Sequence, residues 1–102
     1  MSGDAAQHTG PAIERAVIVL RGMAYGHRLH MLMVLRGGER SPAELAEAIS
    51  ADATSVAHHL RFLKDARLVR RRRRGRHVYY ALHDEATGHL IAAVLRYAGH
   101  PG

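Results

Sequence analysis

Apolar residues recur at helical spacing in the first third of the chain. Three of them stand at i, i+4 and i+7 and predict a first helix over residues 11–23. These three are Ile13, Val17 and Leu20. A second apolar set predicts a helix that starts near His27 and ends at the Gly37–Gly38 pair. The expected inward positions of this second helix are Leu29, Leu32, Met33 and Leu35.

Two shorter helices follow, and each has its own N-terminal cap. Ser41 and Glu44 form a capping box, which predicts a helix over residues 42–49. Asp52 is a second N-cap residue, and the apolar spacing after it predicts a helix over residues 53–65. Two short helices joined by a short turn are typical of a helix-turn-helix.

The period of the apolar pattern changes in the last third of the chain. Residues 68–74 and 76–82 flank Gly75, and apolar and polar side chains alternate in the second of these runs. This alternation predicts a two-stranded hairpin with an Arg-Gly-Arg tip. Tyr80 is expected to pack in the core rather than to contact a ligand. Helical spacing then returns, with one apolar side over residues 90–98.

The predicted order of elements is α-α-α-α-β-β-α. It describes a mainly α protein with a small β-hairpin wing (α+β), which is a winged helix-turn-helix. Residues 1–10 are small and polar and are expected to form a flexible N-terminal arm. Residues 11–102 are expected to form one winged helix-turn-helix domain. A chain of 102 residues has a small core, so dimerisation is a common way to bury more apolar surface.

Positive charge is concentrated in one segment of the chain. Residues 53–83 hold nine Lys or Arg against one acid, Asp65, which is a local charge of +8. The whole chain has a formal charge of +6, so the remainder is slightly acidic. A basic charge confined to one contiguous segment indicates a surface that binds phosphate.

The residues that the chain lacks argue against several classes of protein. There is no cysteine, so neither a disulfide nor a thiolate metal site is possible. No signal peptide is apparent, and no apolar stretch approaches the ~18–20 residues of a membrane span, so a cytoplasmic protein is expected. No Ser-His-Asp order, paired carboxylates, GxxxxGK loop or His-Glu-x-x-His spacing appears, and an enzyme is therefore not expected.

Five stretches together resemble the ArsR–SmtB family of metalloregulators. GHRLHMLMVL is similar to the helix-two signature of this family, SPAELAEAI to its helix three and SVAHHLRFLKDARLV to its recognition helix. RRRRGRHVYYAL resembles its wing and LHDEATGHLIAAVLRYAGH its last helix, so the resemblance covers residues 24–101. It implies a homodimeric repressor that binds double-stranded operator DNA and pairs through its first and last helices. A metal or another inducer would control its affinity for DNA.

The recognition helix over residues 53–65 would enter the major groove with its N-terminal turn at the base edges. The expected DNA contacts on this helix are Ala53, Thr54, Ser55, Ala57, His58 and Arg61. Thr54 and Ser55 begin the helix, so capping or phosphate contact is an equal alternative for them. His59 lies nearer the core face and is expected to be structural.

The wing is expected to contact phosphate through its arginines. Six arginines occupy seven positions around Gly75, and they cannot all be buried because an unpaired buried guanidinium is costly. The arginines expected to bind DNA are Arg72, Arg73, Arg74 and Arg76. The alternative is a solvated basic face that serves solubility.

The metal ligands of the family are only partly present. Family sensors of the zinc and nickel type place an Asp and a His two residues apart at the start of the last helix. Two further ligands come from near its end in the other subunit. This sequence keeps Asp84 and His100 but has Ala86 and Tyr97 where histidines belong. Two of the four expected ligands are therefore replaced.

Other donor residues would form a different metal site in place of the family's ligand set. These residues are Asp84, His89, His100 and His8. His89 and His100 are ~16 Å apart along one helix, so they would meet only across an antiparallel pair of helices from two subunits. Six N/O ligands would suit nickel or cobalt, and four would suit zinc. The alternative is that these histidines are ordinary exposed residues, in which case the regulator responds to another signal or to a partner protein.

A winged helix also serves in RNA-binding and protein-interaction modules. An RNA binder relies on exposed aromatic side chains for stacking. Only a few are available here, namely Tyr25, Phe62, Tyr79, Tyr80 and Tyr97. The composition therefore favours a double-stranded DNA partner.

Overall fold

The computed structural model describes residues 2–100, with side chains from residue 9 onward. Within this range the chain forms five helices and a two-stranded antiparallel hairpin, in the predicted order α-α-α-α-β-β-α. The elements are α1 (Ser2–Met23), α2 (Gly26–Leu35), α3 (Pro42–Ile49), α4 (Ala53–Asp65), β1 (Val69–Arg74), β2 (His77–Leu82) and α5 (Glu85–Tyr97). None of the helices within residues 2–100 is long and apolar enough to cross a membrane.

Helix α1 starts at Ser2, well before the predicted start at Pro11. Pro11 lies inside the helix, where a proline removes one backbone hydrogen bond. The preceding Ala5 and Ala6 favour helix, which a boundary set by the proline alone does not take into account. The flexibility of residues 1–10 stays a prediction.

Helix α2 runs through the middle of the core, and its buried face differs in part from the predicted one. Two of the four predicted positions are buried, and the other two, Leu29 and Met33, are only partly buried. Met31 and Arg28 take the remaining buried positions. The difference arises because α2 packs against α1, α3, α4 and β2, so its buried surface is wider than one apolar stripe.

Local caps start α3 and α4 at the predicted residues. The Ser41 Oγ accepts a hydrogen bond from the Glu44 N–H at 3.1 Å, and the Glu44 Oε1 accepts one from the Ser41 N–H at 2.8 Å. The Asp52 Oδ1 accepts from the Ser55 N–H at 2.7 Å. The inward stripe of α4 consists of the buried residues Val56, Leu60 and Leu63, as predicted. Helix α4 is therefore fixed with its opposite side toward solvent.

Helix α1 packs against the turn between α4 and β1. Arg67 in this turn has a φ of 59°, a region that favours glycine. Leu68 is buried, and a Cβ added at Gly22 would lie 2.9 Å from its Cδ1. The Arg15 guanidinium donates to the Ala66 carbonyl at 2.7 Å. These contacts join α1 directly to the end of the recognition helix.

The hairpin agrees with the predicted strands to within one residue at each end. Tyr80 packs against the core, as predicted. Arg40, in the loop between α2 and α3, pairs with Tyr80 through two backbone hydrogen bonds of 3.0 and 2.8 Å. This bridge fixes the base of the wing to the helix-turn-helix.

Candidate nucleic-acid interface

The N-terminal half of α4 presents one accessible face. Ser55 is half-buried, and its N–H is taken up by the Asp52 cap. The other predicted contacts on this helix, Ala53, Thr54, Ala57, His58 and Arg61, are exposed. The His58 ring lies 5.3 Å from the Phe62 ring in an edge-on arrangement, which orients the imidazole. An exposed helix face of this kind fits the major groove of B-DNA.

The strand register divides the wing arginines between two faces. Arg72 is paired with Tyr79 and Arg74 with His77, so these four side chains share the face away from the core. Arg71 and Arg73 belong to the opposite face, which also carries Tyr80. The arginines on both faces of the hairpin are nevertheless exposed. The Arg73 Nε donates to the Gly75 carbonyl at 3.2 Å, which fixes the tip of the hairpin.

Arg74 makes an ion pair that the sequence pattern did not predict. Its Nη1 lies 2.7 Å from the Glu39 Oε2, and its guanidinium lies 5.7 Å from the centre of the Tyr79 ring. Glu39 belongs to the loop that also pairs with β2 through Arg40. This ion pair therefore holds one arginine of the hairpin against the helix-turn-helix.

A buried cationic cluster lies behind the recognition helix. Arg28 is only 4% exposed, and its guanidinium carbon stands 4.2 Å from the Tyr25 ring centre and 4.3 Å from that of Phe62. His59 is buried, as predicted, and packs edge-on against the His27 ring at 5.7 Å. The pKa of His59 is lowered, mainly by burial and then by the charge of Arg28. The apolar pattern did not predict the burial of Arg28, although an aromatic residue that can pack on its guanidinium, Tyr25, stands three residues before it.

Asp84 caps helix α5. Its Oδ1 accepts hydrogen bonds from the Thr87 N–H at 2.9 Å and from the Thr87 hydroxyl at 2.8 Å. These two bonds lower the pKa of Asp84, with a smaller contribution from His83 and Arg70. The carboxylate is therefore charged at neutral pH and already has a structural role.

The predicted metal donors do not come together within one protomer. His89 lies on the exposed side of α5 and His100 beyond its end, while the side chain of His8 lies outside the described residues. No group of three or more His, Asp or Glu residues that could hold a metal occurs in the described part of the chain. Tyr97, at a position where a ligand is expected, is 96% exposed.

Two helices leave apolar surface uncovered. On α1, the residues Ile13, Val17 and Leu20 lie on the side opposite Gly22 and are 59%, 39% and 61% exposed. On α5, Leu90 and Tyr97 stand seven residues apart on one side and are exposed as well. An uncovered stripe of this extent marks an interaction surface rather than an ordinary helix exterior.

A helix-turn-helix with a basic wing defines the class of winged-helix DNA-binding proteins. The family described as "Bacterial regulatory protein, arsR family" matches residues 26–71. The HTH-type transcriptional regulator NmtR of Mycobacterium tuberculosis is 33% identical over 87% of this chain and 74% of its own length. The HTH-type transcriptional regulator KmtR of the same organism is 40% identical over 84% of this chain, which spans 66% of KmtR. The chain belongs to the ArsR–SmtB family, whose members regulate transcription and are not enzymes.

Solved structures agree with this assignment. The homodimeric winged helix-turn-helix DNA-binding domain of Mb0332 from Mycobacterium bovis, a possible ArsR-family regulator, has a TM-score of 0.84 and 31% identity. It covers 88% of this chain and 83% of its own. Reduced HlyU from Vibrio cholerae has a TM-score of 0.82 and 26% identity, over 92% of this chain and 99% of its own. The predicted fold class is therefore confirmed.

Proposed function

We propose that the protein is a homodimeric repressor in the cytoplasm that binds a pseudo-palindromic operator. The observation that carries this proposal is the combination of an accessible face on α4 with a basic wing fixed beside it. In this family fold, α4 lies in the major groove, and the wing follows the adjacent phosphate backbone. Two protomers related by two-fold symmetry would read two half-sites about one helical turn apart.

The dimer is supported by the uncovered apolar side of α1. A small domain gains stability by covering such a stripe with a second copy of itself. The related domain from Mycobacterium bovis is described as homodimeric. Because α1 also contacts the end of α4 through Gly22 and Leu68, dimerisation would set the spacing of the two recognition helices.

Binding to DNA from the upstream region of the protein's own gene tests the proposal. We expect the variant Thr54→Ala/His58→Ala to lose discrimination between this DNA and a scrambled duplex by about 1–3 kcal/mol, because these side chains face the base edges. Fluorescence anisotropy at fixed salt measures both affinities. His30→Ala removes an exposed histidine on α2 and serves as the control. Equal affinity of the wild-type protein for both duplexes would contradict operator recognition.

We further propose that a divalent transition metal, either nickel, zinc or cobalt, is the inducer and binds across the dimer. Asp84 and His89 of one protomer would supply ligands, with His100 and His8 from the second protomer. Carboxylate and imidazole donors suit these metals. The exposed position of His89 on α5, beside the uncovered apolar side of that helix, supports a shared site. Ala86 and Tyr97 stand where the resemblance places two histidines, so these four donors would replace the ligand set of the family.

We expect one of these metals to change the affinity of metal-stripped protein for operator DNA by at least tenfold, or ~1.4 kcal/mol of coupling. His89→Ala should abolish the change, whereas His30→Ala should preserve it. The anisotropy titration is repeated with each metal at fixed salt. Tight DNA binding that no metal alters would assign the control of this regulator to another inducer or partner protein.

A further inference from the structure

A cavity of about 270 Å³ lies between α1 and the second half of the recognition helix. Its apolar walls are formed by Ile18 and Gly22 of α1 and by Phe62 and Ala66 at the end of α4. At Gly22 the two helices approach so closely that an added Cβ would lie 3.1 Å from the Ala66 Cβ. This close approach fixes the spacing of α1 and α4 beside the cavity.

Two large apolar side chains line this cavity without being covered. Ile18 is 48% exposed and Phe62 is 45% exposed, although they belong to different helices. The Phe62 ring is held in place, because the Arg28 guanidinium carbon lies 4.3 Å from its centre and the His58 ring packs against it edge-on at 5.3 Å. An apolar ligand that covers both side chains therefore finds one wall of its site already positioned.

The charged side chains at the same cavity are mainly basic. Arg21 of α1 and Arg61 of α4 line it together with one acid, Asp65, so the lining carries a net charge of +1. Neither arginine forms an ion pair within the described part of the chain. Both guanidinium groups can therefore pair with a carboxylate of a ligand, while their aliphatic stems extend the apolar wall.

We propose that this cavity binds a small organic carboxylate with an apolar chain or ring. The apolar body covers Ile18 and Phe62, and the carboxylate accepts hydrogen bonds from Arg21 and Arg61. An apolar lining with a few charged groups is typical of sites for small molecules. The volume lies just below the ~300–1,000 Å³ of most such sites, so the ligand is smaller than a typical drug molecule.

Occupation of the cavity lowers the affinity for DNA, and this consequence rests on the proposed function. Arg61 is one of the expected DNA contacts, and a guanidinium that pairs with a ligand carboxylate is withdrawn from the duplex. The ligand also bridges α4 and α1, the helix that carries the proposed dimer surface. It therefore acts as an inducer that requires no metal.

Backbone amide NMR of the full chain tests the site with three probes that separate charge from apolar character. Sodium octanoate, 1-octanol and sodium acetate are each titrated at constant pH and ionic strength. Octanoate should give saturable shifts on both walls of the cavity, namely at Ile18, Gly22, Phe62 and Ala66. Octanol should bind about tenfold more weakly, because it lacks the ion pairs with the two partly solvated arginines. Acetate lacks the apolar body and should cause no saturable shift.

Two variants assign the binding to this cavity. Arg21→Gln should weaken octanoate binding about threefold and leave octanol binding unchanged, because it removes one exposed charge. Ile18→Asp should weaken octanoate binding at least tenfold, since it replaces part of the apolar wall by a group of like charge. As the control, Tyr97→Ser removes an apolar side chain that is 96% exposed on α5 and should leave octanoate binding unchanged.

A second measurement separates this site from the proposed function. Saturating octanoate should lower the affinity for operator DNA at least threefold in the anisotropy assay, and Ile18→Asp should remove this response. If the protein binds octanoate in the cavity but binds no DNA, the site is supported and the proposed function fails. An unchanged DNA affinity at saturating octanoate would overturn the role as an inducer.

Three results would overturn the site itself. The first is a set of shifts that do not saturate, and the second is a set of shifts centred on the exposed α1 residues Ile13 and Leu20. The third is octanol binding as tight as that of octanoate, because it would leave Arg21 and Arg61 without a role in recognition.

Discussion

The triple variant Arg72→Ala/Arg74→Ala/Arg76→Ala is expected to flatten the salt dependence of DNA binding by about two to three units of log–log slope. Each lost phosphate contact removes ~0.9 of this slope. Arg72 and Arg74 share the face of the hairpin that points away from the core, and Arg76 lies in its turn. Affinity should fall most at low salt, where counterion release contributes most to binding.

The ion pair between Arg74 and Glu39 means that the three arginines do not contribute equally to DNA binding. Arg74 must leave a carboxylate at 2.7 Å to bind a phosphate, so its net contribution is smaller than that of Arg72. Glu39→Gln should consequently raise the affinity for DNA of any sequence, since it frees one arginine and removes a nearby negative charge. The triple variant and this single variant are therefore expected to act in opposite directions.

A matched control removes three arginines elsewhere. Arg21→Ala/Arg36→Ala/Arg96→Ala lowers the charge by the same amount at exposed helical and loop positions. Anisotropy titrations over a range of salt concentrations compare the slopes, and circular dichroism checks the fold. Equal slopes for the two triple variants would mean that only net charge matters and that the wing does not contact DNA.

Those parts of the fold that depend on local chemistry were predictable from the sequence. The Ser41–Glu44 capping box and the Asp52 cap involve residues three apart, and both helices start where these residues predict. The hairpin follows from a change of apolar period and from Gly75, whose φ of 60° suits the turn. In these segments short-range preferences and tertiary packing act in the same direction.

The other features of the fold and of the site depend on contacts between segments that are distant in the sequence. Two contacts join residues that are far apart in the chain, namely the ion pair from Glu39 to Arg74 and the packing of Arg28 against Phe62. The apolar periodicity of the sequence does not indicate such contacts. The predicted buried face of α2 was incomplete for the same reason, because several elements cover that helix and Met31 and Arg28 are buried as well. Arg28 in particular looks like a surface residue by composition, and only the aromatic rings on both sides make its burial possible.

The double variant Ile13→Glu/Leu20→Glu is expected to convert the dimer into monomers and to weaken operator binding by at least about 100-fold. Joining two half-site binders raises avidity by roughly 10²–10⁴, and this gain is lost with the dimer. Both side chains are more than half exposed in the protomer, so the glutamates disturb the partner surface rather than the core. Four new carboxylates would face one another across the two-fold axis, where burial without partners is unfavourable.

Light scattering gives the mass, and anisotropy gives the affinity for the full operator and for a single half-site. The monomer should bind both duplexes with similar weak affinity, because each protomer keeps its own α4 and wing. Ala12→Glu adds one negative charge at an exposed position on the flank of the same helix and should leave the mass unchanged. A double variant that keeps the dimeric mass and full operator affinity would place the interface elsewhere and leave the exposed α1 stripe without a partner.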